Sequence, residues 1–373
     1  MSIVEASKTE LHSQLSAKKD VKLNMIVGVD GFVDEIIHVV AQRKDFKSFT
    51  RIMNIEEFGN RIVRAAGLST NIELVTAQTK LGGNGPILAN ALLEYGADLS
   101  YIGAVGSPDI HPVFKPMSDK AANVYSLCEP GHTDALEFMD GKLMLGKHAG
   151  LDAITWDRFK EVLGGLEKTA DTLSKADLLA LVNWTMIPNM SDIWQSIIDE
   201  VFPLLPDRKE KPAIFFDLAD PEKRTIEDIR HAMDLISKFE PKFKSILGLN
   251  KKELYEIAAV YGVAAETFED TLKYTYEKLG IYCLVVHPTK DAACCANGEY
   301  FHVDGPYCEK PVLTTGAGDN FNAGFCLGQA LGISPLNSLL LGVSTSGFYV
   351  RNAKSPSIDD LLKFLIDWES GKL

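Results

Sequence analysis

Several classes of protein are disfavoured by what this 373-residue sequence lacks. No stretch reaches the ~20 apolar residues that a transmembrane helix needs, and residues 1–19 have no apolar core of the kind found in secretory signals. Positive charge is scarce, because 38 lysines and arginines stand against 51 acidic residues and give a formal net charge of −13. A general nucleic-acid binder needs a basic surface instead. We therefore expect a cytoplasmic protein with neither membrane nor nucleic-acid partners.

The cysteine and glycine patterns argue against two further kinds of site. The six cysteines contain no pair of CxxC units, so a structural zinc site is not expected. Their dispersal along a long chain favours reduced thiols over a disulfide framework. No G-x-G-x-x-G follows the first apolar run, which disfavours a dinucleotide-binding dehydrogenase.

Short apolar runs separated by helix-length segments dominate the chain. Strands that are apolar on both faces and alternate with helices are typical of a parallel sheet covered on both sides. The pattern therefore predicts a doubly wound α/β fold with a mainly parallel sheet flanked by helices. The runs are 23–29, 99–105, 178–182, 214–216, 246–249 and 282–286.

Two segments interrupt this alternation and predict a small second sheet. Asp140 and Gly141 stand between two apolar-rich runs, which is a strong hairpin signal. A β-branched run over 33–40 offers a strand that can pair with that hairpin. We expect a small β lid from about 33–41 and 134–146, carried by one domain over 21–373, with residues 1–20 as an N-terminal extension.

Residues 314–319 read Thr-Thr-Gly-Ala-Gly-Asp and precede an amphipathic stretch that resembles a helix. Small residues let backbone N–H groups converge, and a helix N-terminus binds anions because its first N–H groups lack partners within the helix. Asp319 would repel a phosphate, but it suits a base that takes a proton from a neutral hydroxyl while those N–H groups hold developing charge. Taken alone, a simple N-cap, for which Asp is favoured, explains the same residue equally well.

Two other segments carry groups suited to a polar ligand. Gly82 and Gly83 permit close backbone approach, and Asn84 offers donors and acceptors to a polyol. A plain tight turn is the alternative for these residues. Asp30 and Asp34 follow the first apolar run, at the edge where open α/β sheets bind their ligands.

Asn250 and Glu253 stand three residues apart at a strand-to-helix junction. Glu253 could hold Mg²⁺ through water, because hard cations prefer oxygen ligands. The alternative is a capping box, with Asn250 as N-cap and Glu253 reaching back to it. Asp217, Asp220 and Arg224 follow another apolar run, and Arg224 could pair with an acidic substrate group or with Asp220.

Four of these features resemble the PfkB or ribokinase-like family of carbohydrate and nucleoside kinases and occur in that family's order, namely Asp34, 82–84, 250–253 and 315–325. The resemblance implies a ribokinase-like fold and transfer of the γ-phosphoryl group of ATP, with Mg²⁺, to a hydroxyl of a sugar or sugar derivative. It leaves open a monovalent cation and a homodimer. The implied roles are catalytic base for Asp319, anion hole for Gly316, Ala317 and Gly318, substrate binding for Asp30, Asp34, Gly82, Gly83 and Asn84, metal or phosphate binding for Asn250 and Glu253, and nucleotide binding for Thr289, Lys290 and Asn352.

Two segments depart from the family's pattern. Residues 287–291 read His-Pro-Thr-Lys-Asp where the family has a glycine-containing turn against the nucleotide, so a solvated loop is the alternative for Thr289 and Lys290. The segment 43–69 is longer than expected and could enlarge the substrate side or an oligomer contact. Two other functions therefore stay open, a nucleoside kinase of the same fold and a non-catalytic sensor of a sugar or nucleotide.

Overall fold

The computed structural model describes residues 7–373 as an assembly of strands and helices. The strands are β1 Asn24–Val29, β2 Phe32–Arg43, β3 Phe49–Arg51, β4 Leu74–Gly82, β5 Asp98–Gly103, β6 Asn123–Ser126, β7 Gly131–Glu137, β8 Lys142–Lys147, β9 Leu178–Val182, β10 Ala213–Asp217, β11 Lys244–Leu249, β12 Cys283–Val286, β13 Asp291–Ala296 and β14 Glu299–Asp304. The α-helices are α1 Lys8–Lys18, α2 Ile55–Val63, α3 Asn84–Glu94, α4 Lys115–Ser118, α5 Trp156–Leu163, α6 Leu166–Ser174, α7 Met190–Ser196, α8 Ile226–Ser237, α9 Lys251–Val260, α10 Phe268–Leu279, α11 Ala317–Ala330, α12 Pro335–Asn352 and α13 Ile358–Glu369. Within this described range, no helix has the length and apolar character needed to span a bilayer.

The larger sheet has nine strands in the order β14-β13-β12-β11-β10-β9-β1-β5-β6. Neighbouring strands are parallel from β12 to β6, and β13 and β14 add an antiparallel edge. Every residue of β9 and β10 is buried. Helices cover both faces, so these central strands are apolar on both sides up to the aspartate that ends β10. The prediction of a doubly wound, mainly parallel sheet is confirmed.

Two hydrophobic cores lie on the two faces of the large sheet. Successive residues of a strand point to opposite faces, so Phe216 packs beside Trp194 in one core while Phe215 packs in the other. The second core also contains Leu11 and Leu15 of α1, both fully buried. The segment 1–20, expected as an extension, thus contributes a packed helix to the domain, although residues 1–6 lie outside the described range.

A separate small sheet begins two residues after β1 ends. Its strand β2 pairs in parallel with β7 and antiparallel with β3 and β4, and β8 pairs with β7. The expected lid segments, 33–41 and 134–146, are therefore paired as β2, β7 and β8. The strand β4 was not predicted, because polar residues interrupt its apolar ones and most of its residues are exposed.

The long segment 43–69 supports the small sheet. It supplies the short strand β3 and the helix α2. Phe58 of α2 packs against Ile37, Leu136 and Phe138 in a third hydrophobic core. This insertion therefore buries one face of the small sheet, which leaves the other face available to the end of the large sheet.

Candidate active site

The candidate site lies where four neighbouring parallel strands end at one edge of the large sheet. A polar residue ends or follows each of β1, β9, β10 and β11, namely Asp30, Asn183, Asp217 and Asn250. Because carboxyl ends of parallel strands meet at the same edge, these side chains converge. The helices α3 and α11 both reach this edge, since each sends an asparagine to Asp217.

Asp30 is a buried anchor for the glycine turn. Its carboxylate accepts hydrogen bonds from the N–H groups of Asn84 (3.0 Å) and Gly85 (2.8 Å) and from Nδ2 of Asn183 (2.6 Å). Asp30 is 0% exposed, and burial raises the pKa of its carboxyl to about 6. The Asp30 carboxylate therefore holds the first turn of α3, and its contact with the substrate stays a prediction.

Gly82 and Gly83 are required by the carboxylates beneath them. A Cβ on Gly82 would overlap the carboxylate of Asp34, and one on Gly83 would come within 2.8 Å of Asp30 Oδ2. Gly83 also has a φ of 98°, which side chains rarely adopt. The predicted substrate-side residues thus do come together, with Asn84 starting α3 directly after the turn.

Asp34 faces a polar cavity of about 340 Å³ next to the small sheet. It is 8% exposed, and burial raises the pKa of its carboxyl while the Thr133 hydroxyl and the charge of Lys80 lower it. Lys80, Thr315 and Tyr349 line the same cavity. Asp34 therefore has a hydrogen-bonding side chain in contact with a space large enough for a small polar molecule.

The glycine-rich turn before α11 presents free backbone donors. Gly316 is left-handed, with a φ of 89°, and Tyr349 supports the turn by donating its hydroxyl to the Thr315 carbonyl at 2.8 Å. Across residues 7–373, no partner accepts from the N–H groups of Gly316 and Gly318. Ala317 instead donates to the Thr314 carbonyl at 3.1 Å. Two of the three residues predicted for the anion hole thus have free N–H groups, and Ala317 does not.

Asp319 lies in the first turn of α11, beside those donors. Burial, and then the charge of Asp30, raise the pKa of its carboxyl to about 8, although the Asn84 amide opposes this shift. Asp319 is nonetheless partly exposed, so a ligand can reach it. A carboxyl with a pKa near neutrality that a ligand can contact is what a general base requires.

Negative charge accumulates around this position. Burial and the charges of Glu253 and Asp319 raise the pKa of Asp217. In the described chain, no lysine or arginine forms an ion pair with Asp30, Asp217 or Asp319. A group of carboxylates with no cationic side chain among them fits a site that receives a metal ion.

Asn250 and Glu253 form the capping box that was the alternative to metal binding. Glu253 Oε2 accepts from the Asn250 N–H at 2.7 Å, and Asn250 Oδ1 accepts from the Glu253 N–H at 3.0 Å. The other oxygen of Glu253 accepts from the Asp220 N–H at 3.0 Å. Each carboxylate oxygen can accept more than one hydrogen bond, so this capping leaves room for a metal-bound water.

A second cavity, of about 370 Å³, lies on the other side of the glycine-rich turn before α11. Ala317 and Gly318 form its floor, and Thr289 and Lys290 line it together with residues of α12. Lys290 Nζ lies 4.9 Å from the centre of the Tyr307 ring. Asn352 is not part of this lining, because its exposed side chain donates to the Phe348 carbonyl at 2.8 Å.

His287 fills the position next to Gly318, where the family has a glycine-containing turn. Its ring centroid is 4.9 Å from that of Phe321, and burial lowers its pKa to about 4. A Cβ on Gly318 would approach the His287 ring to 3.0 Å. The ring is therefore neutral near pH 7 and packs under the start of α11.

The sequence analysis did not identify two asparagines at this edge, and it predicted a different partner for one arginine. Asn183 binds Asp30, and Asn322 binds Asp217 at 3.1 Å. A lone asparagine after a strand or inside a helix carries no local signal, so only the register of the sheet could have placed it. Arg224 does not pair with Asp220; its guanidinium donates to the carbonyls of Trp184, Thr185 and Ile187.

Comparison with known proteins identifies the family. The model of the prokaryotic ketohexokinase family matches residues 4–368. The chain belongs to that family. It is 27% identical over 342 residues to a ketohexokinase from Haloferax volcanii, a match that covers 91% of this chain and 90% of the relative.

Solved structures of the ribokinase fold resemble the whole chain. A phosphofructokinase-2 variant from Escherichia coli has a TM-score of 0.65 at 14% identity and covers 94% of this chain and 99% of its own. Ribokinase from Arabidopsis thaliana, solved with ribose and ATP, has a TM-score of 0.62 at 18% identity and covers 92% and 98%. At this identity these structures establish the fold.

The comparisons decide between the functions that the sequence left open. The resemblance to ribokinase-like kinases is confirmed, and so is the prediction of an ATP-dependent carbohydrate kinase. The nucleoside-kinase and sensor alternatives are not favoured, because the family and its curated relative are both ketohexokinases.

Stability should depend on pH through Asp319. Its carboxyl has a pKa of about 8 in the native state and about 3.9 in an unfolded chain, so the native state binds more protons between these values. The resulting contribution to stability is complete below about pH 4 and is lost as pH rises through about 8. Above pH 6, where Asp30 has largely ionised, we expect the melting temperature to fall, and Asp319→Asn to flatten that decline.

Differential scanning calorimetry at fixed ionic strength measures this slope. The matched control is Asp98→Asn, which changes an exposed aspartate at the start of β5 and should leave the pH dependence as it is. A slope between pH 6 and pH 8 that Asp319→Asn leaves unchanged would contradict the raised pKa of Asp319.

Proposed function

We propose that this protein transfers the γ-phosphoryl group of ATP to a hydroxyl of a ketohexose, with Asp319 as the general base. The observation that carries the proposal is the placement of Asp319 in the first turn of α11, beside the free N–H groups of Gly316 and Gly318. The acceptor class is supported by the chain's membership of the prokaryotic ketohexokinase family and by its similarity to the Haloferax volcanii ketohexokinase.

The proposed step moves one proton and one phosphoryl group. The acceptor hydroxyl gives its proton to a carboxylate oxygen of Asp319, and the resulting oxygen nucleophile bonds to the γ-phosphorus as the bond to ADP breaks. The N–H groups of Gly316 and Gly318 stabilise the charge that develops on the phosphoryl oxygens. A carboxyl with a pKa of about 8 accepts this proton in its ionised form, the share of which rises as pH approaches 8, and later releases it to water.

The two cavities divide the two substrates between them. We place the sugar on the side of Asp34 and the Gly82–Gly83 turn, where carboxylate and amide groups can bind several hydroxyls. We place the nucleotide in the cavity of about 370 Å³ lined by Thr289 and Lys290. The glycine-rich turn before α11 lies between these two spaces. A phosphoryl group that moves from one space to the other therefore passes the free N–H groups of Gly316 and Gly318.

Mg²⁺ is proposed to enter with ATP, next to Glu253 and Asn250. The support is the group of buried or partly buried carboxylates with no ion-paired lysine or arginine, which an incoming cation would neutralise. When bound, the ion would neutralise charge on the phosphate oxygens. A monovalent cation, a homodimer and a cytoplasmic location stay predictions drawn from the sequence.

An acceptor screen tests the substrate class. Purified protein with Mg²⁺ and ATP should release ADP with a ketohexose such as fructose. The rate at equal concentration should be at least ~10-fold higher than with an aldohexose, ribose or a nucleoside, a ratio worth about 1.4 kcal/mol in transition-state binding. ADP release is followed by a coupled assay, and the phosphorylated sugar by mass spectrometry. A nucleoside as the preferred acceptor would contradict the proposal.

Asp319→Asn should lower kcat by at least ~100-fold, the scale of general-base removal. Asparagine keeps the size and hydrogen-bonding shape of the side chain but cannot accept the hydroxyl proton. Because the nucleotide cavity is lined by other residues, the affinity for ATP measured by calorimetry should change little.

Asp304→Asn serves as the matched control, because Asp304 is an exposed aspartate at the end of the edge strand β14. It should have the kcat of the unmodified protein. Near-normal turnover in Asp319→Asn would reject Asp319 as the base, even if the acceptor screen had identified a ketohexose.

A further inference from the structure

Asp217 is a buried carboxylate that the proposed reaction does not use. It ends β10, is 8% exposed, and accepts hydrogen bonds from Asn84 Nδ2 at 3.3 Å and from Asn322 Nδ2 at 3.1 Å. The backbone N–H of Ala219 also lowers the pKa of this carboxyl. A single side chain thus accepts hydrogen bonds from two helices.

These two helices carry the two halves of the site. Asn84 is the first residue of α3 and directly follows the Gly82–Gly83 turn on the sugar side. Asn322 lies in α11, three residues after Asp319. The Asn84 amide also lies beside Asp319 and lowers its pKa. Asp217 therefore ties the start of the sugar-side helix to the helix that carries the base.

The amide of Asn322 has little else to orient it. Its Oδ1 is buried without a hydrogen-bond partner in the described chain and faces Gly248 of β11, where a Cβ would approach it to 3.3 Å. Its Nδ2 donates to Asp217. The direction of this amide therefore depends on the carboxylate of Asp217.

A purely structural role would not favour a carboxylate here. Asp30, Glu253 and Asp319 all raise the pKa of Asp217 by their charge, after the effect of burial, and the charge of Asp217 raises the pKa of Cys326 on α11. Among residues 7–373, no lysine or arginine forms an ion pair with Asp217. A buried charge among like charges lowers stability, so the residue is costly for folding at this position.

We propose that Asp217 is a positioning residue for phosphoryl transfer. It holds the amides of Asn84 and Asn322 and so fixes the position of Asp319 relative to the Gly82–Gly83 turn on the sugar side. The inference rests on the proposed function and adds a residue to it. Misplacement of reacting groups by about 1 Å can lower a rate by ~100-fold, so this linkage is large enough to matter.

Asp217→Asn separates positioning from stability. Asparagine has the same size, but its amide group presents a donor to one of the two asparagines that now donate to Asp217. We expect kcat to fall by at least ~10-fold and the sugar KM to rise, because one of the two linked amides loses its acceptor. The nucleotide KM should stay within about twofold, since Asp217 does not line that cavity. The melting temperature should be equal to or higher than that of the unmodified protein, because a buried charge is removed.

A double-mutant cycle tests whether Asp217 acts through Asn84. If it does, Asp217→Asn combined with Asn84→Ala should be no more than about twofold slower than the slower single variant, because contacting residues are not additive. Losses in kcat that multiply would overturn the linkage.

Glu240→Gln is the matched control. Its Oε1 accepts from the N–H groups of Ser245 at 3.0 Å and Tyr282 at 2.6 Å, where β11 and β12 begin, at the opposite edge of the same sheet. It should lower the melting temperature and leave kcat unchanged. If Asp217→Asn has the kcat and sugar KM of the unmodified protein, the inference about Asp217 is overturned but the proposed function is not. If the unmodified protein phosphorylates no sugar, the proposed function itself is overturned.

Discussion

The central constraint on this protein is the crowding of carboxylates at one edge of a parallel sheet. Asp30 and Asp217 lie at two strand ends, and Glu253 and Asp319 lie in the first turns of two helices. Burial raises the pKa of each carboxyl, and the charges of neighbouring carboxylates add to this rise at Asp217, Glu253 and Asp319. Such a cluster is unfavourable for folding. It persists because backbone N–H groups and asparagine amides, and not lysines or arginines, satisfy its oxygens.

That choice of partners has a consequence for the reaction. Amide donors satisfy hydrogen bonds but leave the negative charge in place, so the site keeps a strong attraction for a cation. The phosphates of a nucleotide would be repelled by the same charge, and by the net charge of −13, unless metal and free N–H groups receive them. The N–H groups of Gly316 and Gly318 lie on the glycine-rich turn before α11, which contributes residues to the lining of both cavities. In the proposed reaction, these donors would receive the phosphoryl group.

Much of the fold could be predicted, because strands that are buried on both faces appear in the sequence as continuous apolar runs. The run 178–182 coincides with β9, and the Asp140-Gly141 hairpin was correct in kind and place. By contrast, β4 could not be predicted, because it is held by pairing with β2 and most of its side chains are exposed. Its mixture of apolar and polar residues forms no pattern strong enough to mark a strand.

Some residues of the candidate site could likewise be predicted from the sequence, and others could not. Glycine-rich segments around Gly83 and Gly316 were visible because close approach and positive φ restrict the residue type. The asparagines at 183 and 322 were not visible, since a lone amide has no characteristic spacing and its partner is 105 or more residues away. The sequence also could not decide whether Asn250 and Glu253 cap a helix or bind metal, because both roles use the same three-residue spacing.

The most direct test of this account is a crystal structure of the protein with a ketohexose, Mg²⁺ and a non-hydrolysable ATP analogue. The account predicts one sugar hydroxyl between the γ-phosphate and Asp319, with its oxygen about 3 Å from a carboxylate oxygen. The γ-phosphate should accept from the N–H groups of Gly316 and Gly318. A sugar hydroxyl poised for attack on the γ-phosphorus but contacted by a different base, with Asp319 out of reach, would contradict it.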